Sequence, residues 1–138
     1  LILYFFFLII RRPPRSTQSR SSAASDVYKR QLCEGTHDFT AFAANRGDGR
    51  DEGRDAVRHL WSIGVDHPAP LLTLTFHGSG FLYKMVRLLT GSIIRVAMGR
   101  APVLWLEHLL TAPPGEKTHY LAPADGLYLT EVEYPVEP

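Results

Sequence analysis

The chain predicts an α+β domain, an antiparallel sheet with helices packed on one of its faces. Three observations predict it. Residues 71–77 alternate strictly, with Leu72, Leu74 and Phe76 on one side and Thr73, Thr75 and His77 on the other, as a half-buried strand does. A Gly78-Ser79-Gly80 hinge follows and leads into an apolar stripe of helical period. A second strand-like run, residues 127–134, closes the chain after a Pro/Gly turn. At 138 residues with 45% hydrophobic content, the chain suits one domain with a real core.

The first 31 residues look foreign to that domain. Residues 1–10, LILYFFFLII, are too short to span a bilayer, which takes about 17–25 apolar residues. A secretory signal places its charges before the apolar block, whereas Arg11, Arg12 and Arg15 come after it. The Ser-, Arg- and Pro-rich stretch beyond has no periodicity. Residues 1–31 are therefore expected to be non-native read-through sequence that stands apart from residues 32–138, with a native membrane-surface anchor as the competing reading.

Leu32-Cys33-Glu34-Gly35 reads as the last turn of a helix stopped by Gly35. Asp38 is placed to cap a turn that sends Phe39 and Phe42 into the core, a better account than an acid–base pair with His37. Residues 45–55, NRGDGRDEGRD, form a charged loop. Its Arg46-Gly47-Asp48 tripeptide carries no weight without an extracellular context. Residues 56–65 hold Val57, Leu60, Trp61 and Ile63, a spacing that fits a strand or a helical turn equally. His67-Pro68-Ala69-Pro70 marks a turn.

The central run then places Leu82, Met85, Val86, Leu89, Ile93 and Val96 on one stripe of a helix. Lys84, Arg87, Gly91 and Arg95, spaced by three or four, share the opposite face. Gly91 costs a helix roughly 1 kcal/mol relative to Ala, but its bare surface would let another backbone come close beside Arg87. A second helix begins near Pro102 and carries Val103, Leu106, Leu109 and Leu110, with Trp105 at its edge and residues 112–115 ending it. In the last strand Tyr128, Val132 and Tyr134 share a face.

Charge and cysteine usage bound the function. The net charge is +1, yet residues 1–31 hold six Lys/Arg and one Asp, leaving nine Lys/Arg against thirteen Asp/Glu beyond them. Residues 32–138 are thus mildly acidic, so any nucleic-acid contact must come from a local cationic row. Cys33, the sole cysteine, cannot form an internal disulfide, and a cytoplasmic setting is the default expectation. His77 has no Cys or His at ligand spacing, and no metal or cofactor motif occurs.

FLYKMVRLLTG, GLYLTEVEY and the upstream GTHDFTAF together resemble the C-terminal half of the tRNA pseudouridine synthase A family, over roughly residues 32–135. The resemblance implies one lobe of a two-lobed fold, with RNA bound in the cleft between lobes. It implies isomerisation of uridine to pseudouridine in the tRNA anticodon stem-loop, without metal or cofactor, in a full-length homodimer. Arg87 matches the family arginine that pairs with the catalytic aspartate. Phe81, Tyr83, Lys84, Arg95 and Leu127 fall where the family contacts substrate: Phe81 and Tyr83 lining the cleft, Lys84 and Arg95 meeting phosphates, Leu127 packing on the target base. The aspartate and its Gly-Arg-Thr-Asp setting belong to the other half. Gly49-Arg50-Asp51-Glu52-Gly53 echoes that setting only faintly and lies on the wrong side of the GTHDFTAF segment. The chain is accordingly expected to be a fragment, inert alone.

The competing expectation is a non-catalytic RNA-binding module with a ferredoxin-like sheet. It requires aromatic residues grouped on the open sheet face, and the sequence shows no such pair.

Overall fold

A computed structural model describes residues 3–11, 30–50, 52–66, 71–111 and 115–134. Five strands, β1 (Leu3–Arg11), β2 (Gly35–Asp38), β3 (Val57–Asp66), β4 (Leu71–Gly78) and β5 (Leu127–Glu133), form one sheet in the order β2-β3-β4-β1-β5. Every neighbouring pair is antiparallel. Among the described residues the two longest helices, α1 (Met85–Ala97) and α2 (Val103–Thr111), complete the α+β architecture.

The core lies between the sheet and these helices. Leu60, Ile63, Leu74 and Phe76 come from the strands, and Met85, Leu89, Ile93 and Leu106 from the helices, all buried in one cluster. Phe39 and Phe42 join it from the turn that follows β2. Asp38 Oδ1 accepts the backbone N–H of Thr40 at 2.9 Å, the capped turn expected there. Residues 30–33 are helical and Gly35 takes φ +95°, the left-handed stop that the sequence called for.

Residues 56–65 read ambiguously for a reason visible in β3. The register of β3 on β4 shifts between Leu60 and Ser62, so Trp61 is the extra residue of a bulge. Leu60 and Ile63, three apart, both bury, while Trp61 turns to the other face. A bulge thereby imitates helical spacing.

The largest difference from the sequence reading concerns the N-terminus. Residues 1–31 were expected to stand apart, yet Leu3–Arg11 pairs with β4 along one edge and β5 along the other. An apolar run too short for a membrane is the right length for a strand enclosed on both edges. The turn assigned to residues 67–70 and the end of α2 at residues 112–114 lie outside the described residues.

Helix α1 starts later than its apolar stripe suggests. Lys84 takes φ 60°, in the left-handed region, and only its carbonyl enters the helix, accepting from Leu88 N–H at 3.0 Å. Leu82 is buried but lies in the preceding turn. At the other end Gly99 takes φ +70° and closes the helix.

Candidate functional site

The hinge after β4 is packed, not loose. A Cβ on Gly78 would sit 2.7 Å from Leu60 Cδ2 and 3.0 Å from the His59 carbonyl. Ser79 ties the same place to β3, its N–H donating to His59 O at 2.8 Å and its Oγ accepting from His59 N–H at 3.0 Å. This fixes where α1 begins, and so fixes Arg87 on its first turn.

Arg87 is half-buried and locked to the segment that runs past α1 toward β5. Its Nε–H donates to Ala122 O at 2.7 Å, and Ala122 N–H donates back to the Arg87 carbonyl at 3.1 Å. The close backbone approach expected at Gly91 is present, since a Cβ there would lie 2.0 Å from Tyr120 O. The same segment is pinned by a Ser92–Thr118 hydroxyl pair at 2.8 Å, both residues buried, and by Thr118 N–H donating to Ala41 O at 2.9 Å. Among the described residues no carboxylate pairs with Arg87. Because its side-chain bond to Ala122 uses Nε, the Nη fork remains for a further acceptor.

The other site residues fall into separate neighbourhoods. Arg95, two turns along α1, stacks its guanidinium over Tyr120, Cζ lying 3.8 Å from the ring centroid. Tyr83 faces the 43–54 loop. Its carbonyl accepts Ala44 N–H at 3.0 Å, and its ring lies beneath Arg46 at 4.9 Å and Lys84 at 5.3 Å. Tyr83 also lines a cavity of about 330 Å³ with Asn45, Glu52, Arg54 and Lys117. Lys84 therefore does not share the face of Arg87, Gly91 and Arg95, because its left-handed backbone takes it off the helix surface. Phe81 packs at the sheet end beside Gly78, and Leu127, partly buried on the core, opens β5 five residues after Ala122.

Sequence reasoning missed the 118–122 segment, which has no periodicity to signal it; the bare surface of Gly91 was the available clue. It also missed an aromatic group on the open sheet face. Trp61, 38% exposed, packs edge-on against His59 at 4.9 Å and tilted against His77 at 5.1 Å. Contrary to the expectation from sequence, packed rings do occupy that face, the bulge in β3 being what turns Trp61 toward it.

Among the described residues no group of three or more His, Cys, Asp or Glu is placed to hold a metal ion, and no helix is long and apolar enough to cross a membrane.

Comparison with known proteins places this arrangement. The tRNA pseudouridine synthase A of Akkermansia muciniphila is 43% identical over 109 residues, 77% of this chain and 41% of that protein. Those of Bordetella petrii and Geobacillus kaustophilus are each 36% identical, over 75% of this chain and 37% and 39% of their own lengths. The chain thus spans about two-fifths of the length of these curated relatives. A family model described as tRNA pseudouridine synthase matches residues 30–135, well over half of the chain, and the protein belongs to that family.

Proposed function

We propose that this chain is the arginine-bearing lobe of a tRNA pseudouridine synthase acting on uridines of the anticodon stem-loop. The observation that carries the reading is Arg87, held through Nε by Ala122 with its Nη fork uncommitted among the described residues. A carboxylate nucleophile in a closed pocket needs a cation to keep it ionised and aimed. A guanidinium fixed at one nitrogen offers two parallel N–H groups for that purpose. The target uracil must leave the stack to be detached from C1′, turned and rejoined through carbon. Leu127 packs on that base, Phe81 and Tyr83 line the cleft, and Lys84 and Arg95 meet the backbone phosphates.

The carboxylate comes from the remainder of the full-length protein, which works as a homodimer in the cytoplasm, without metal or cofactor. Residues 32–138 are the family domain. Residues 1–31 are read as non-native in origin, the family match covering only residues 30 and 31 of them, although β1 within them takes a place in the sheet. An upstream reading frame encoding Gly-Arg-Thr-Asp in the genomic DNA before the Leu32 codon would support both points; an uninterrupted native frame through residues 1–31 would refute the second.

The direct test is Arg87→Lys in the full-length enzyme, followed by tritium release from unmodified tRNA. Turnover falls heavily while tRNA affinity changes little, because Lys lacks the fork. Equal loss of affinity and rate would reduce Arg87 to a phosphate contact. The 138-residue chain itself releases no tritium above a blank.

The His59–Trp61–His77 group favours a second reading, an RNA-binding module that stacks bases on the open sheet face. On that reading Trp61→Ala abolishes RNA binding, whereas Arg87→Lys leaves it untouched.

A further inference from the structure

The strands of the family-matching region leave one place in the sheet that they do not fill. Residues 30–135 match the family model and contain β2, β3, β4 and β5, whereas β1 lies outside them. In the order β2-β3-β4-β1-β5, β4 and β5 therefore stand one strand apart. Each pairs antiparallel with β1, so the two run parallel to each other. Each turns a row of backbone N–H and C=O groups toward that place, and groups of this kind have to be paired. We propose that a strand from the part of the full-length enzyme upstream of residue 30 belongs there, and that residues 3–11 occupy its place as a stand-in. The proposal rests on the fragment reading above and names the element that joins the two parts.

The path of the chain calls for that strand. Parallel strands need a crossover, usually through a helix. β4 reaches β5 through α1 and α2, passing over the intervening place. The helical turn at residues 30–33 lies on the same side of the sheet, since Cys33 is buried in one core with Met85, Leu89 and Leu106. It leads through β2 into β3, and β3 is parallel to β1 because both are antiparallel to β4. A strand in the place of β1, followed by the helix that ends at residue 33, crosses over β4 into β3. The two crossovers then interleave, each spanning the strand that starts the other, which is the split β-α-β arrangement.

A foreign sequence can take the place because a ladder is held by main-chain groups that every residue except proline carries in full. β1 is nine residues, LYFFFLIIR, apolar up to its last position and free of proline. That composition suits a strand enclosed on both edges. Its fit is uneven. Against β4 it pairs in one register from Tyr4↔Gly78 to Arg11↔Leu71, whereas against β5 the register shifts between Phe5 and Phe6.

The test is amide hydrogen exchange on the 138-residue chain and on the full-length enzyme carrying residues 1–29 as an N-terminal extension. In the 138-residue chain, residues 3–11, 71–78 and 127–133 are all protected. Phe6→Pro/Leu8→Pro, which removes two ladder donors, speeds exchange in all three segments. In the extended full-length enzyme residues 71–78 and 127–133 stay protected. Residues 3–11, displaced by the native strand, exchange there roughly 100-fold faster than in the short chain. Residues 3–11 that remain protected in the extended enzyme would overturn the proposal, as would loss of protection in 71–78 and 127–133. Protection of β4 and β5 untouched by the proline pair would also overturn it, since neither edge would then need an occupant. Tritium release from unmodified tRNA by the same extended enzyme reads the synthase function separately. Exchange as expected without turnover counts against that function alone, and turnover with residues 3–11 still protected counts against the strand alone.

Discussion

Arg87 and Ala122 hold each other by two hydrogen bonds of opposite direction, Nε–H to carbonyl at 2.7 Å and N–H to carbonyl at 3.1 Å. Thirty-five residues apart in sequence, they join the first turn of α1 to the approach of β5. The guanidinium is thereby aimed by backbone, which side-chain mobility elsewhere cannot easily disturb.

Gly91 makes that clamp possible. Gly91→Ala places a Cβ 2.0 Å from Tyr120 O, far inside contact distance and against backbone. The better helix propensity of Ala is worth roughly 1 kcal/mol, while overpacking of this kind costs about 1–3 kcal/mol. Thermal denaturation is expected to show net destabilisation, and amide exchange at Ala122 to accelerate. A variant more stable than wild type, with Ala122 still protected, would contradict the close approach.

The buried Ser92–Thr118 hydroxyl pair ties the same segment from below. Ser92→Ala takes one partner from the buried Thr118 hydroxyl, which still accepts the Tyr120 N–H at 3.4 Å, so the loss lies toward the low end of about 1–3 kcal/mol. Ser92→Ala/Thr118→Val removes both polar groups and is expected to lose less than the sum of the single changes. Additive losses in a denaturant double-mutant cycle would show that the pair is not coupled.

Cys33 is buried, and burial, followed by the negative charge of Glu34, pushes its thiol from 9.0 up to about 12. Alkylation of the native chain at neutral pH is therefore slow and becomes fast on denaturation. The linkage has a definite sign. Between pH 9 and about 12 the unfolded chain gives up a proton that the folded chain keeps, so this thiol lowers stability as pH rises through that window. Cys33→Ala should flatten that part of the stability profile. An identical profile in the variant would remove the thiol as its cause.

Removing residues 1–11 tests the place of β1. The sequence reading has residues 1–31 standing apart from residues 32–138. The sheet order instead predicts that β4 and β5 each lose a paired edge, leaving strands open to other chains. Aggregation or loss of cooperative unfolding is the expected outcome. A monomeric, cooperatively folding product would show that β1 is dispensable.

Much of the fold was legible locally. The alternation in β4, the stripes of α1 and α2, the Asp38 turn and the Gly35 stop are each set by neighbours within a few residues, where periodicity and capping act. Other features arise only when distant segments meet. The bulge at Trp61 depends on β4 lying beside β3, and β1 becomes a strand because two edges enclose it. Lys84 leaves the Arg87 face because the turn from β4 into α1 forces a left-handed residue there. Arg87 itself could be named from its surrounding string, but not its partner. Ala122 offers only a backbone amide and carbonyl, which every residue carries, so composition holds no trace of the pairing and only proximity in three dimensions creates it.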